Sequence, residues 1–232
     1  MKIISHRGGS GEYKESSFEA FFNSSSIDVD GIECDIHFSK DNIPVINHNP
    51  TLLENHNINE FIENLNFSEI LSLTDNKVIL LSDLLEIFNP KQKLFLEIKG
   101  NPNKEQINIL INILNKSIVN NNIVILSYNV KILKNINNFD KLILIDNIFP
   151  KKILQEIIQY SNSNYIGIYY DIVSKKYIQK IKNIKNNIKI FIFTVNENII
   201  LQKFISENII QNIDGIITDF PNKFIKILKN KN

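Results

Sequence analysis

The sequence has little cysteine, no tryptophan and almost no net charge. Its 232 residues include a single cysteine, Cys34, which excludes an intramolecular disulfide and any multi-cysteine zinc or iron–sulfur site. Because Cys34 falls inside a predicted strand, we interpret it as a buried, unreactive thiol. The formal net charge of +1 gives no electrostatic argument for nucleic acid or an anionic membrane as a partner.

Long apolar runs are also missing. The N-terminal segment MKIISHRGGSGE reaches a glycine cluster after a few apolar residues, which is not the pattern of a signal peptide or a membrane span. We therefore expect a cytoplasmic protein without a stable membrane anchor. What the chain does contain is 43% hydrophobic residues, which is enough to bury a substantial core.

Short β-branched runs alternate with stretches of helical spacing along the whole chain. The eight candidate strands are KIIS (2–5), GIECDI (31–36), LFLEIK (94–99), IVILS (123–127), LILID (142–146), YIGIYY (165–170), IKIFIFTV (188–195) and DGIITD (214–219). Amphipathic helical patterns lie between them. This alternation predicts a single-domain (β/α)₈ TIM barrel over residues 1–232,.

A doubly wound open sheet is the structural alternative to the barrel. It is disfavoured because the segment SHRGGSGE, after the first strand, lacks the G-x-G-x-x-G spacing of a dinucleotide-binding turn,. Residues 40–93 form a small insertion between the second and third strands, with a candidate hairpin and two short helical pieces.

Charged residues follow the first three predicted strands, and in a barrel the active site forms at these carboxyl ends. Glu33 and Asp35 alternate along one strand and therefore share a face, and Glu97 ends the next strand,. Three carboxylates suit Mg²⁺ or Ca²⁺. The alternative is a buried salt-bridge network with Arg7 and Lys99. We favour one divalent cation, because three acids against two cations leave a negative excess.

Two histidines are predicted to lie at strand ends. His6 follows the first strand, and His48 ends the apolar run of VINHNPTL. Two imidazoles can divide general-acid and general-base work near neutral pH. His37 shares the face of the strand acids, and we interpret it as a structural or supporting residue. His56 lies in a polar loop and is interpreted as solvated.

Seven pieces of the sequence together resemble the glycerophosphodiester phosphodiesterases of the compact cytoplasmic type. They are HRG at 6–8, a glutamate at 15 before a helix start, GIECD at 31–35, KDNIPVINHNPTL at 40–52, LFLEIKG at 94–100, FTVNE at 193–197 and GIITDFP at 215–221. The resemblance spans nearly the whole chain, with the pieces in the family's order and spacing.

The resemblance implies a (β/α)₈ barrel that uses a divalent metal to hydrolyse small glycerophosphodiesters to glycerol 3-phosphate and an alcohol. It assigns the roles by motif: catalytic histidines His6 and His48, metal carboxylates Glu33, Asp35 and Glu97, phosphate contacts Arg7 and Lys99, and an apolar wall for glycerol at Phe193, where the family usually has Trp.

The chain departs from the family at two other places, and two rival functions stay open. Lys14-Glu15-Ser16-Ser17 stands where Pro-Glu-Asn-Thr is usual, and Asn49 stands where Asp is usual. One rival is a related barrel phospholipase, of the phospholipase D or phosphatidylinositol-specific type. The other is a barrel that binds phosphodiesters without cleaving them. The division of roles between the histidines, Mg²⁺ versus Ca²⁺, the alcohol and the oligomeric state are left open.

Overall fold

Eight parallel strands close into a barrel within residues 1–229, the part of the chain that the computed structural model describes. They are β1 (Lys2–Ser5), β2 (Gly31–Phe38), β5 (Lys93–Ile98), β6 (Ile123–Ser127), β7 (Asp140–Ile145), β8 (Tyr165–Tyr169), β9 (Lys189–Phe193) and β10 (Gly215–Thr218). β1 pairs in parallel with both β10 and β2, which closes the sheet. The predicted TIM barrel is confirmed, and each predicted strand overlaps an observed one.

Helices follow the barrel strands and cover the outside of the barrel, and two others, the second and third along the chain, belong to the insertion after β2. They are α1 (Phe18–Ser26), α2 (Leu53–His56), α3 (Phe67–Leu73), α4 (Leu81–Ile87), α5 (Lys104–Lys116), α6 (Val130–Lys134), α7 (Lys151–Ser161), α8 (Lys175–Ile184), α9 (Asn198–Ser206) and α10 (Pro221–Leu228). Ser17 caps α1 by accepting a hydrogen bond from the Ala20 N–H,. Among the helices of this described region, none has the length and apolarity to cross a membrane.

The alternation of side chains along each strand divides the core into two layers. On β2, Ile32, Cys34 and Ile36 face outward and belong to the large cluster between sheet and helices. The interior of the barrel holds a smaller cluster that includes Phe95, Tyr165 and Phe191. The residues of β2 between the outward-facing ones therefore point into the barrel. This register directs its two acids toward the barrel axis.

The predicted insertion between β2 and the next barrel strand is present. Its strands β3 (Pro44–Ile46) and β4 (Ile79–Leu80) extend the sheet in antiparallel fashion from the end of β2. A separate small core of Val45, Leu52, Ile62, Ile70 and Val78 holds the insertion together. The insertion thus forms a small subdomain beside the barrel mouth.

The prediction that the apolar strand of the insertion ends at His48 was wrong by two residues. β3 ends at Ile46, and the Asn47 N–H makes one more backbone hydrogen bond, to Asp35 O at 3.1 Å. The Asn47 side chain then donates to the carbonyls of Asn49 and Thr51, at 2.7 and 3.1 Å. These bonds replace the strand ladder and turn the chain, so His48 lies on a loop.

Candidate active site

The three predicted metal carboxylates meet inside the barrel mouth. Asp35 and Glu97 are directly paired across β2 and β5, and Glu33 lies one alternation earlier on the same face. One oxygen from each of the three carboxylates lies within 4.8 Å of the others. All three side chains are buried, with exposed fractions of 2% for Glu33, 1% for Asp35 and 8% for Glu97. A close cluster of buried carboxylates is unfavourable unless positive charge compensates it.

Two cations of the protein contact this cluster. Lys99 Nζ lies 3.0 Å from both Asp35 Oδ1 and Glu97 Oε1. Arg7 Nε lies 3.4 Å from Asp35 Oδ2, but neither of these two buried atoms has a hydrogen-bond partner within residues 1–229. The backbone N–H of Arg7, at a left-handed φ of 50°, donates to Glu33 Oε2 at 3.1 Å. The salt-bridge network is therefore present, but it leaves buried polar atoms of the described residues without hydrogen bonds.

The pKa values of the three carboxyl groups show how far the two cations compensate each of them. Burial, with Asp35 and Glu97 adding repulsion, raises the pKa of Glu33 well above its usual value. Burial and Asp35 raise the pKa of Glu97 to about 7. Burial also acts to raise the pKa of Asp35, but Lys99 and Arg7 hold it below its usual value. The protein's own cations keep the pKa of Asp35 low, but they do not offset the burial and repulsion that raise the pKa values of Glu33 and Glu97.

His6 is anchored by a carboxylate that follows β10. Its Nδ1 donates to Asp219 Oδ1 at 2.5 Å, and its Nε2 lies 3.8 Å from Glu33 Oε2. Ser10 and Asn196 also donate to Asp219, each at 2.5 Å. Burial opposes the charge of Asp219, but the hydrogen bond and charge of His6 lower its pKa to about 2. The ring of His6 is therefore held by an ionised partner.

His48 is anchored by a neutral partner. Its Nδ1 lies 2.9 Å from Asn49 Oδ1, and its carbonyl accepts a hydrogen bond from His37 Nε2 at 3.1 Å. His37 thus supports the loop that carries His48, as expected for a supporting residue. His56 is half-buried and lines a groove beside the insertion that contains neither His6 nor His48.

Arg7 is connected to the insertion through a glutamate. Its Nη1 donates to Glu15 Oε2 at 2.7 Å. Asn55 Nδ2 lies 3.3 Å from Glu15 Oε1 and 3.2 Å from Asn47 Oδ1. A continuous hydrogen-bonded path therefore joins the guanidinium after β1 to the loop that carries His48.

Glu97, the two cations and both catalytic candidates line one cleft of about 450 Å³, and Glu33 and Asp35 lie buried beside Glu97. The far side of the cleft is aromatic: the Phe193 ring centroid lies 6.3 Å from that of Tyr128 and 6.0 Å from that of Tyr169. The cleft is lined by His6, Arg7, His48, Glu97, Lys99, Tyr128, Asp146, Asn147, Tyr169, Phe193 and Thr194. A larger groove of about 630 Å³ lies beside α1 and the insertion, but it contains neither His6, His48 nor the three acids. The chemistry, rather than the volume, identifies the site.

All eight residues predicted for the site lie together at this end of the barrel, and four further residues, to which the sequence had assigned no role, hold them. Asp219, Asn196, Glu15 and Asn47 position His6, Arg7 and the His48 loop. The contact of Asp219 with His6 could have been predicted from barrel closure, because the strand that ends before Asp219 is then the neighbour of the strand that ends before His6.

Comparison with known proteins decides the family. The model of the glycerophosphoryl diester phosphodiesterase family matches residues 6–223. The chain belongs to this family. Bacillus subtilis YhdW is 27% identical over 254 residues, which covers the full length of both chains. The family is one of enzymes, and the resemblance of the motifs to this family is confirmed.

Solved structures share the fold over nearly the entire chain. A glycerophosphodiester phosphodiesterase from Thermotoga maritima superposes with a TM-score of 0.86 at 24% identity, covering 98% of both chains. An Oleispira antarctica phosphodiesterase, determined in complex with the product sn-glycerol-3-phosphate, gives a TM-score of 0.83 at 19% identity and covers 99% of this chain and 97% of that one. At these identities the similarity establishes the barrel.

Proposed function

We propose that this enzyme hydrolyses water-soluble glycerophosphodiesters to glycerol 3-phosphate and an alcohol, using one divalent cation, Mg²⁺ or Ca²⁺. The single observation that carries the proposal is that one carboxylate oxygen from each of Glu33, Asp35 and Glu97 lies within 4.8 Å of the others, beside a cleft lined by Glu97 and two histidines. The Oleispira relative, whose structure holds sn-glycerol-3-phosphate, supports the product.

The donor set fits a hard cation. Carboxylate oxygens are the ligands that Mg²⁺ and Ca²⁺ prefer. Asp35 Oδ2 is a buried acceptor without a hydrogen-bond partner among the described residues, and burial with like-charged neighbours raises the pKa values of Glu33 and Glu97. A divalent cation bound by these three acids would neutralise their charge and act as a Lewis acid toward a phosphoryl oxygen.

Arg7 and Lys99 are proposed to hold the phosphodiester. Both line the cleft, and both are already fixed by carboxylates, Arg7 by Glu15 and Lys99 by Asp35 and Glu97. Fixed positive groups stabilise the charge that develops on the phosphoryl oxygens without having to reorganise during the reaction.

His6 and His48 are proposed to carry the protons. Hydrolysis requires that the attacking hydroxyl lose a proton and that the departing alkoxide gain one. Each ring is anchored at Nδ1, by Asp219 and Asn49 respectively, which leaves the Nε2 atom of each ring to exchange protons with substrate. One ring acts as base and the other as acid.

Phe193 is proposed to form the apolar wall for the glycerol moiety. It is half-buried at the end of β9 and packs edge-on against Tyr128 and at a tilt against Tyr169. A cleft of about 450 Å³ is at the small end of the range for ligand sites, which favours a deacylated diester over a diacyl phospholipid.

A substrate panel with a product-specific readout tests the proposal. The purified chain is given glycerophosphocholine, glycerophosphoethanolamine and glycerophosphoinositol, and glycerol-3-phosphate dehydrogenase detects the product. We expect turnover that a chelator abolishes and that added Mg²⁺ or Ca²⁺ restores, each tested alone.

The same panel decides against the rivals. Vesicles of phosphatidylcholine and of phosphatidylinositol are offered at equal concentration. Faster hydrolysis of the vesicle lipid than of its headgroup diester would replace the proposal with the phospholipase function. Binding of glycerophosphocholine without any hydrolysis in the presence of either metal would favour the non-catalytic function.

A further inference from the structure

A short path of hydrogen-bonded side chains leads from His48 away from the cleft. Nδ1 of His48 lies 2.9 Å from Oδ1 of Asn49. Nδ2 of the same asparagine donates a hydrogen bond to Oε2 of Glu54. Glu54 is exposed in the first turn of α2, and neither it nor Asn49 lines the cleft. The His48 ring, to which they are linked by these hydrogen bonds, does line it.

The chemistry of these groups determines which atom donates and which accepts at each hydrogen bond of this path. An ionised carboxylate can only accept hydrogen bonds, so Glu54 selects the NH₂ end of the Asn49 amide. The oxygen end then faces His48, and an amide oxygen accepts only. Nδ1 of His48 must therefore carry the hydrogen, and in a neutral imidazole Nε2 is then the nitrogen with the free lone pair.

Without Glu54, the Asn49 amide could adopt either of two orientations. The two ends of an asparagine side chain have nearly the same shape but opposite hydrogen-bonding character. A flipped amide would point its NH₂ at Nδ1 of His48 and favour the tautomer with hydrogen on Nε2. That tautomer cannot accept a proton from substrate at the cleft.

We propose that Glu54 is a positioning residue which, through Asn49, holds His48 as the Nδ1–H tautomer with Nε2 ready to accept a proton. This inference rests on the proposed function, in which His48 is one of the two proton-transferring groups. Nε2 makes no hydrogen bond to any residue within 1–229. As the attacking water forms its bond to phosphorus, the bond from phosphorus to the departing alcohol oxygen breaks. The proton that the water loses passes to Nε2 of His48, and the departing alkoxide takes a proton from the other histidine. The resulting imidazolium of His48 keeps its Nδ1–H bond to Asn49.

The electrostatic setting of His48 agrees with this role. Burial lowers the pKa of His48 to about 4, with Asp35 and Glu15 opposing the shift and Lys99 and Arg7 adding to it. The ring is therefore neutral at pH 7, so its tautomer decides which nitrogen can accept a proton.

Nitrogen NMR of the full chain reads the tautomer directly. The sequence has four histidines, and long-range ¹H–¹⁵N spectra at pH 7 report the protonation of each ring nitrogen; His48→Gln assigns the His48 signals. We expect a protonated Nδ1 and an unprotonated Nε2 in the wild type, and a mixture of tautomers in Glu54→Ala. In the same variant kcat should fall about fivefold at unchanged KM, the factor that corresponds to the loss of a hydrogen bond worth about 1 kcal/mol.

A paired exchange separates positioning from general damage. In Asn49→Asp/Glu54→Gln the glutamine NH₂ donates to the aspartate, whose other oxygen accepts from Nδ1, so the wild-type tautomer should return. Glu60→Ala is the control, since Glu60 is exposed in the same insertion. The positioning role is overturned if wild-type His48 carries its hydrogen on Nε2, or if Glu54→Ala leaves the tautomer unchanged. The wild-type chain could lack diesterase activity and still show the Nδ1–H tautomer, with its loss in Glu54→Ala. That result would contradict the proposed function and support the positioning role.

Discussion

One side of the barrel mouth is charged: the ends of β1, β2 and β5 carry acids, cations and His6. The other side is aromatic, because the ends of β6, β8 and β9 carry aromatic rings. The charged side is held by contacts such as those of Lys99 Nζ at 3.0 Å from two carboxylates. The aromatic side consists of Tyr128, Tyr169 and Phe193 in ring-to-ring contact. The two sides face each other across one cleft.

The comparison teaches that the two sides should respond differently to substitution. Buried charges depend on one another, so removing one member leaves the others uncompensated and affects every partner. Aromatic rings contribute contact area, and their loss is graded by the area removed. We therefore expect the charged side to determine kcat and the aromatic side to determine KM.

Replacement of Glu33 should have the largest effect. Glu33→Ala removes one of three metal carboxylates, so bound metal should be lost and activity should fall by about 10³-fold, the equivalent of about 4 kcal/mol of charge stabilisation. The fold should survive, because burial and like charges already disfavour the ionised form of Glu33 and raise its pKa. Elemental analysis, calorimetric metal titration and circular dichroism measure the three expectations.

Glu86→Ala is the matched control for Glu33→Ala, since Glu86 is an exposed glutamate on α4. It should bind metal and turn over substrate like the wild type. Absence of divalent metal binding to the wild-type chain itself would remove the metal from the mechanism.

Removal of either histidine should have the next largest effect. His6→Ala and His48→Ala should each lower kcat by about 10²-fold or more, a loss typical of a general acid or base. The double variant should lose less than the product of the two effects, because the pair acts as a unit. His37→Gln is the control and should keep most activity, since glutamine can still donate to the His48 carbonyl that His37 contacts. Near-native turnover in either alanine variant would exclude that histidine.

Neutralising Asp219 should have a smaller effect on the same side. Asp219→Asn removes the charge that faces Nδ1 of His6 at 2.5 Å, and the amide can present NH₂ to the ring and select the wrong tautomer. We expect kcat to fall by about 10- to 100-fold with metal content unchanged. Asp171→Asn, at an exposed site after β8, should leave kcat unaltered. Loss of metal in Asp219→Asn would mean that Asp219 supports the carboxylate cluster and not the histidine.

The charged side also shows how far the sequence could predict the molecule. Strand periodicity places Glu33 and Asp35 on one face, and parallel pairing brings Glu97 beside Asp35, so the acids could be grouped without coordinates. The Asp219 contact could not be read from any local pattern, because it joins residues 213 positions apart and depends on barrel closure. His48 was misplaced to a strand end because side-chain hydrogen bonds from Asn47, which no periodicity records, end the strand early.

The aromatic side should show the smallest and most selective effect. Phe193→Ala removes part of the wall facing the proposed glycerol position, and the lost contact, worth about 1 kcal/mol, should raise KM about fivefold while kcat stays within about a factor of two. Glycerophosphocholine kinetics with coupled detection of glycerol 3-phosphate separate the two constants. Phe22→Ala is the control, because Phe22 is 58% exposed on α1 and does not line the cleft. A fall in kcat at constant KM in Phe193→Ala would contradict the division of labour, since it would mean that the aromatic side stabilises the transition state and not the bound substrate.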